Sequence, residues 1–175
     1  TDSASAPSAQ SAIKSAPIRV VAAKTFDAVP RGAGTALMKD PSRALILAAV
    51  DASHVYEVPL SALAESNARS WFQSRPPRYV FDLKSFLYMG LPVELAPKVR
   101  DLAVIWWLLE PGRRSYEPEI LIRKELGGMM PPTPLESAAL LHTLAPILER
   151  RLRDEDLVKV YEELESPLTP LLYQM

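Results

Sequence analysis

Asp82 stands where α/β proteins commonly do chemistry. The stretch YVFDLKSFLYMG, Tyr79 to Gly90, reads as a buried strand that ends at an acid and tips straight into a helix, and strand ends of this kind are where ligands and metals are commonly held. A carboxylate there can ligate a cation, or it can cap the helix beginning at Leu83 by accepting its first N–H groups. Other residues offer other chemistry. Arg113, Arg114, Arg123 and Lys124 form a local basic cluster able to contact DNA phosphates, although Glu117, Glu119 and Glu125 lie among them and charges on helix faces are commonly just solvated. Trp106 and Trp107 are of a type that stacks bases, yet their apolar surroundings assign them to a core. His142 lies on a Leu-rich helix and reads as a packing or surface residue. The GAG after Arg31 lacks the spacing of a phosphate-binding loop.

These residues need a scaffold. A chain of 175 residues with 48% hydrophobic content is sized for one domain with a sizeable core. Twenty basic residues against 21 acidic ones leave a net charge of −1, which neither advertises a nucleic-acid partner nor excludes a local basic patch. The absence of cysteine excludes disulfides and thiol catalysis and suits a cytoplasmic location. With only His54 and His142 a structural zinc site is not expected. No apolar run approaches the ~18 residues that cross a bilayer, and no signal peptide is evident, so no membrane partner is expected.

Residues 1–17, a Ser/Ala/Pro stretch without apolar periodicity, read as a flexible linker that suggests something attached before it. β-Branched or apolar runs at 18–23, 34–39, 43–51 and 53–59 predict four strands, the last two forming a hairpin around Asp51 and Ala52. A helix opened by Ser61 follows, with Leu60, Leu63, Ala64, Ala68 and Trp71 on one face. A fifth strand comes after Pro76 and Pro77. The rest is helical. RDLAVIWWLLEPG is apolar nearly all round and must be covered on most faces; EPEILIRKELGG is short. A longer helix is capped by Thr133, starts at Pro134 and bends at Pro146. The last helix places Leu157, Val160, Tyr161 and Leu164 inward and changes phase at Pro167. A mixed sheet of about five strands followed by packed helices is an α/β arrangement, its early strands antiparallel because their connections are short.

YEELESPLTPLLYQM resembles the helix that leads from the 3′ to 5′ exonuclease domain into the polymerase domain in family A DNA polymerases, the bacterial polymerase I group. The matching residues are Glu165, Pro167, Leu168, Pro170, Leu172 and Met175. FDLKSFLYMGL resembles that family's second exonuclease motif. RDLAVIWWLLEPGRRSYEPEILIRKELG resembles the Asp-Thr-Met-Leu helix and its sequel, and Leu135 to Leu152 the helix bearing the third motif. The resemblance implies an RNase H-like fold, an exonuclease-like domain over 18–155, and a helix over 156–175 leading to a polymerase domain beyond Met175.

Proofreading in that family uses two divalent ions about 4 Å apart, and such a pair must be held by several convergent carboxylates. The resemblance places Met38 and Asp40 at the first motif's aspartate and glutamate, Phe86 at the second motif's ligand, and Ser137 near the third's. Asp82 falls on an asparagine position, one turn from the ligand. Only Asp40 keeps an acid; Met38 and Phe86 are expected to fill the former metal cleft. The expectation is a catalytically inactive module with no metal or other cofactor of its own and weak DNA contact at most, in a parent that uses magnesium for DNA synthesis. An active exonuclease dependent on Asp40, or an interaction domain unrelated to polymerases, are the alternatives.

Overall fold

The computed structural model describes residues 17–32, 34–40, 42–74, 78–125 and 133–175. The expected linker lies outside these residues except for Pro17. Six strands form one sheet: β1 (Arg19–Ala22), β2 (Ala36–Lys39), β3 (Leu45–Ala49), β4 (His54–Pro59), β5 (Arg78–Val80) and β6 (Val99–Asp101). Their order is β1-β4-β3-β2-β5-β6. β2, β3 and β4 pair antiparallel as their short connections require. β1 runs parallel to β4, against expectation, and β5 and β6 extend the sheet in parallel beyond β2. The sixth strand escaped the sequence reading because Val-Arg-Asp is too short and too charged to show a β pattern.

The central strands are buried on both faces, so they read as continuous apolar runs rather than alternating ones. Successive side chains still point to opposite sides. Met38, Leu47 and Ala49 pack against one helical layer, made of α3 (Leu102–Leu109), α4 (Pro118–Glu125) and α5 (Pro134–Asp154). Leu37, Ile46 and Ala48 pack against the other, which contains Phe26, a 3₁₀ turn at Leu60–Ala64, α1 (Ser66–Gln73) and α2 (Leu83–Tyr88). The single helix expected after Leu60 is thus two pieces, because Glu65 is extended (φ −81°, ψ 153°). Leu63, Ala68 and Trp71 are buried as expected.

α5 opens with a capping box in which Thr133 accepts from the Glu136 N–H and Glu136 reaches back to Thr133, and it runs unbroken through Pro146. α3 buries Leu102, Ile105, Trp106 and Leu109, but Trp107 is 42% exposed and not a core residue. The terminal segment comprises α6 (Val158–Val160), a π turn (Tyr161–Glu165) and α7 (Ser166–Gln174). The wider π turn shifts the phase before Pro167: Tyr161 is buried, whereas Leu164, expected inward, is exposed. Among the described residues no helix is long and apolar enough to cross a membrane.

Candidate functional site

β2 and β5 are parallel neighbours, and their carboxyl ends bring Met38, Asp40, Phe81 and Asp82 to one edge of the sheet. A cavity of about 590 Å³ opens there, lined by Met38, Lys39, Phe81, Asp82, Ser85 and Tyr116 among others. Asp82 adopts a left-handed backbone (φ +66°), a conformation Asp tolerates better than most residues. Its carboxylate accepts from the Ser85 N–H at 3.3 Å and from the Ser85 hydroxyl. Asp82 is therefore the cap of α2.

Asp40 is 1% exposed. It accepts from the Ser42 N–H at 2.9 Å, the Ser42 hydroxyl at 2.7 Å and Arg43 Nε at 2.8 Å, and Arg43 also reaches Glu57 at 2.6 Å. Burial opposes its charge, but the hydrogen bonds from Ser42 and the Arg43 guanidinium outweigh burial and hold the carboxyl below the usual range. Its oxygens already serve a turn.

The positions that the resemblance aligned with metal ligands do not share a cleft. Met38 packs on the α3–α5 side of the sheet and Phe86 on the opposite side, so the expectation that both fill one former cleft is corrected. The cause is helical spacing: Leu83, Phe86 and Leu87 form the buried face of α2, which leaves Asp82 and Ser85 toward the cavity. Ser137 is buried on α5, its hydroxyl donating to the Thr133 carbonyl at 3.2 Å. Among the described residues no three His, Asp or Glu side chains converge to hold a metal ion. The residues present do not fit a two-metal centre.

Sequence reasoning missed Asp101. This carboxylate closes β6 and caps α3, accepting from the N–H groups of Asp82 (3.1 Å), Leu83 (2.8 Å) and Ala103 (2.9 Å). Its own N–H donates to the Tyr161 hydroxyl at 2.8 Å. Burial pushes the Asp101 carboxyl up to about 6, the three N–H donors opposing the rise, and burial pushes Tyr161 up to about 12. The available signal was an acid directly ahead of an apolar helix, the usual mark of a cap.

The basic cluster is largely an internal ion-pair network. Arg113 Nε lies 2.6 Å from Glu110, and its guanidinium covers the Trp106 ring at 5.4 Å. Lys124 also pairs with Glu110, and Arg151 contacts both Glu110 (3.5 Å) and Glu125 (2.7 Å). Arg114 and Arg123 lie on the surface. Because the Glu110 side chain is only 13% exposed, Glu110→Ala is expected to lower unfolding free energy by about 1.5–3 kcal/mol. Urea denaturation followed by circular dichroism checks this, and a change under about 0.5 kcal/mol would contradict it.

No protein-family model and no curated protein matches the chain. Among solved structures its fold is similar to that of the POL domain of Pol1 from M. smegmatis in complex with DNA primer-template and dNTP, with a TM-score of 0.63 at 16% sequence identity. The likeness covers 89% of this chain and 31% of that one. The chain thus spans about a third of the neighbour's length, and what the two share is fold.

Proposed function

We propose that the chain is a catalytically inactive, exonuclease-like module of a polymerase I type DNA polymerase, with an RNase H-like fold over 18–155 and a helix over 156–175 leading toward the polymerase domain. The observation that carries this reading is the fold likeness to part of a Pol1 structure across 89% of the chain, which agrees with the order of the sequence motifs. The mixed six-stranded sheet with helices on both faces supports the RNase H-like assignment. Inactivity is supported by the engagement of the acids near the sheet edge: Asp40 holds Ser42 and Arg43, Asp82 caps α2, and Asp101 ties three backbone segments. Its role in a cytoplasmic parent is to seat the polymerase domain. Magnesium belongs to the parent's synthesis, and DNA contact by the cluster of Arg113, Arg114, Arg123 and Lys124 is weak.

The test is incubation of the purified chain with 3′-labelled single-stranded DNA and either magnesium or manganese. No shortening is expected. Stepwise loss of nucleotides, abolished by Asp40→Asn, would reinstate proofreading. In the natural gene, codons after Met175 should encode polymerase motifs; a stop codon there would leave a stand-alone domain.

A further inference from the structure

A second cavity, of about 550 Å³, shares no lining residue with the one beside Asp82. Tyr79 of β5 and its register partner Arg100 of β6 line it from the sheet. α5 supplies Pro146, Glu149 and Arg153, and the terminal segment supplies Val158 and Glu162. Tyr79 is 8% exposed, and a tyrosine hydroxyl so deeply set ordinarily has a hydrogen-bond partner. Among the described residues this one has none, and the Arg153 guanidinium has none either. Burial pushes the Tyr79 phenol above its ordinary range, with Glu149 adding to the rise and Arg100 and Arg153 opposing it. The hydroxyl therefore faces the charged residues of the cavity. Both unmet groups are donors.

The two acids are engaged unequally. Arg100 takes both oxygens of Glu149, one through Nε and the other through Nη2 at 3.1 Å. Glu162 gives one oxygen to Arg100 Nη1 at 3.1 Å, and its side chain is 55% exposed with the second oxygen unpaired among the described residues. The lining holds two Arg and two Glu, so its charges cancel. The matching ligand is neutral overall with its charges apart. An oxyanion suits the Arg153 fork and the Tyr79 hydroxyl, and a carboxylate suits them better than a phosphate monoester, which brings about two negative charges to one unpaired cation. We propose that this cavity binds a small zwitterion of the amino-acid type, its carboxylate accepting from Arg153 and the Tyr79 hydroxyl, its ammonium meeting Glu162, and its apolar body lying on Pro146 and Val158. The volume is that of a small-molecule site. The inference stands apart from the module reading, since it requires neither DNA nor a polymerase domain.

The probe is free leucine, titrated into the intact isotope-labelled chain and followed by amide chemical shifts. The amides of Tyr79, Arg100 and Arg153 are expected to shift together. Leucine should bind about tenfold more tightly than N-acetyl-leucine, which lacks the cation, and than leucinamide, which lacks the carboxylate. Tyr79→Phe keeps the ring and Arg153→Gln alters an exposed side chain, so both variants should fold; each is expected to weaken leucine by at least about fivefold. Glu162→Gln should erase the advantage of leucine over N-acetyl-leucine, a preference that a purely structural role for Glu162 would leave in place. Absence of shifts at those amides with millimolar leucine would overturn the assignment. So would equal affinity for leucine and N-acetyl-leucine, tighter binding of inorganic phosphate, or leucine affinity unchanged in both Tyr79→Phe and Arg153→Gln.

Discussion

Trp71→Ala is expected to lower unfolding free energy by about 3–5 kcal/mol. Trp71 is fully buried in α1 and contacts Phe26 and Phe72, with ring centroids 5.1 Å away in each case. Its indole N–H donates to the Val29 carbonyl at 3.0 Å. It also covers a buried charge: the Arg78 guanidinium sits 4.2 Å from the ring centroid while donating to the Gly32 carbonyl and the Ser74 hydroxyl, each at 2.9 Å. Truncation opens a cavity, leaves the Val29 carbonyl without its donor, and strips one face from a guanidinium that cannot shed its proton. Trp71→Phe keeps a ring over Arg78 and should cost about 1–3 kcal/mol. Urea titration by far-UV circular dichroism measures both, and a Trp71→Ala loss under about 1 kcal/mol would contradict the assignment.

Below about pH 4, Asp101→Ala is expected to cost about 3 kcal/mol, because the N–H groups of Asp82, Leu83 and Ala103 all lose their acceptor. The wild-type protein should also carry a pH signature that the variant lacks. With the carboxyl raised to about 6, the folded state keeps this proton at pH values where the unfolded chain has released it. Its contribution is thus fully present below about pH 4 and declines as pH climbs to about 6, by about 3 kcal/mol, then stays level. Asp101→Asn should flatten that window while retaining an acceptor for part of the junction. A difference between wild type and Asp101→Asn that does not vary between pH 4 and 6 would refute the raised carboxyl.

The sequence was most legible where one local rule decided the outcome. The hairpin at Asp51, the Thr133 cap and the Asp82 cap all follow from residue types at fixed offsets, and the structure has all three. Legibility failed where tertiary neighbours decided. β6 is a strand only because β5 offers it an edge. β1 pairs parallel with β4, a later strand that only the folded sheet brings beside it. At the candidate site, the aligned motif placed Phe86 beside Met38, but helical periodicity after Asp82 sends Phe86 to the far side of the sheet. Trp107 and Leu164 misled for a related reason: an apolar side chain can face solvent on a helix whose other face is buried.

The terminal helix is also fastened to the sheet's rim. Arg100, on the edge strand, pairs with Glu149 of α5 and with Glu162, and its guanidinium lies 4.5 Å from the centre of the Tyr161 ring, whose hydroxyl holds the adjoining Asp101 amide. A pull or twist applied at Met175 meets the Tyr173–Tyr88 contact first and then, through Glu162 and Tyr161, a three-residue border of the β-structure. Under mechanical load that border is the clasp expected to open before the central strands yield.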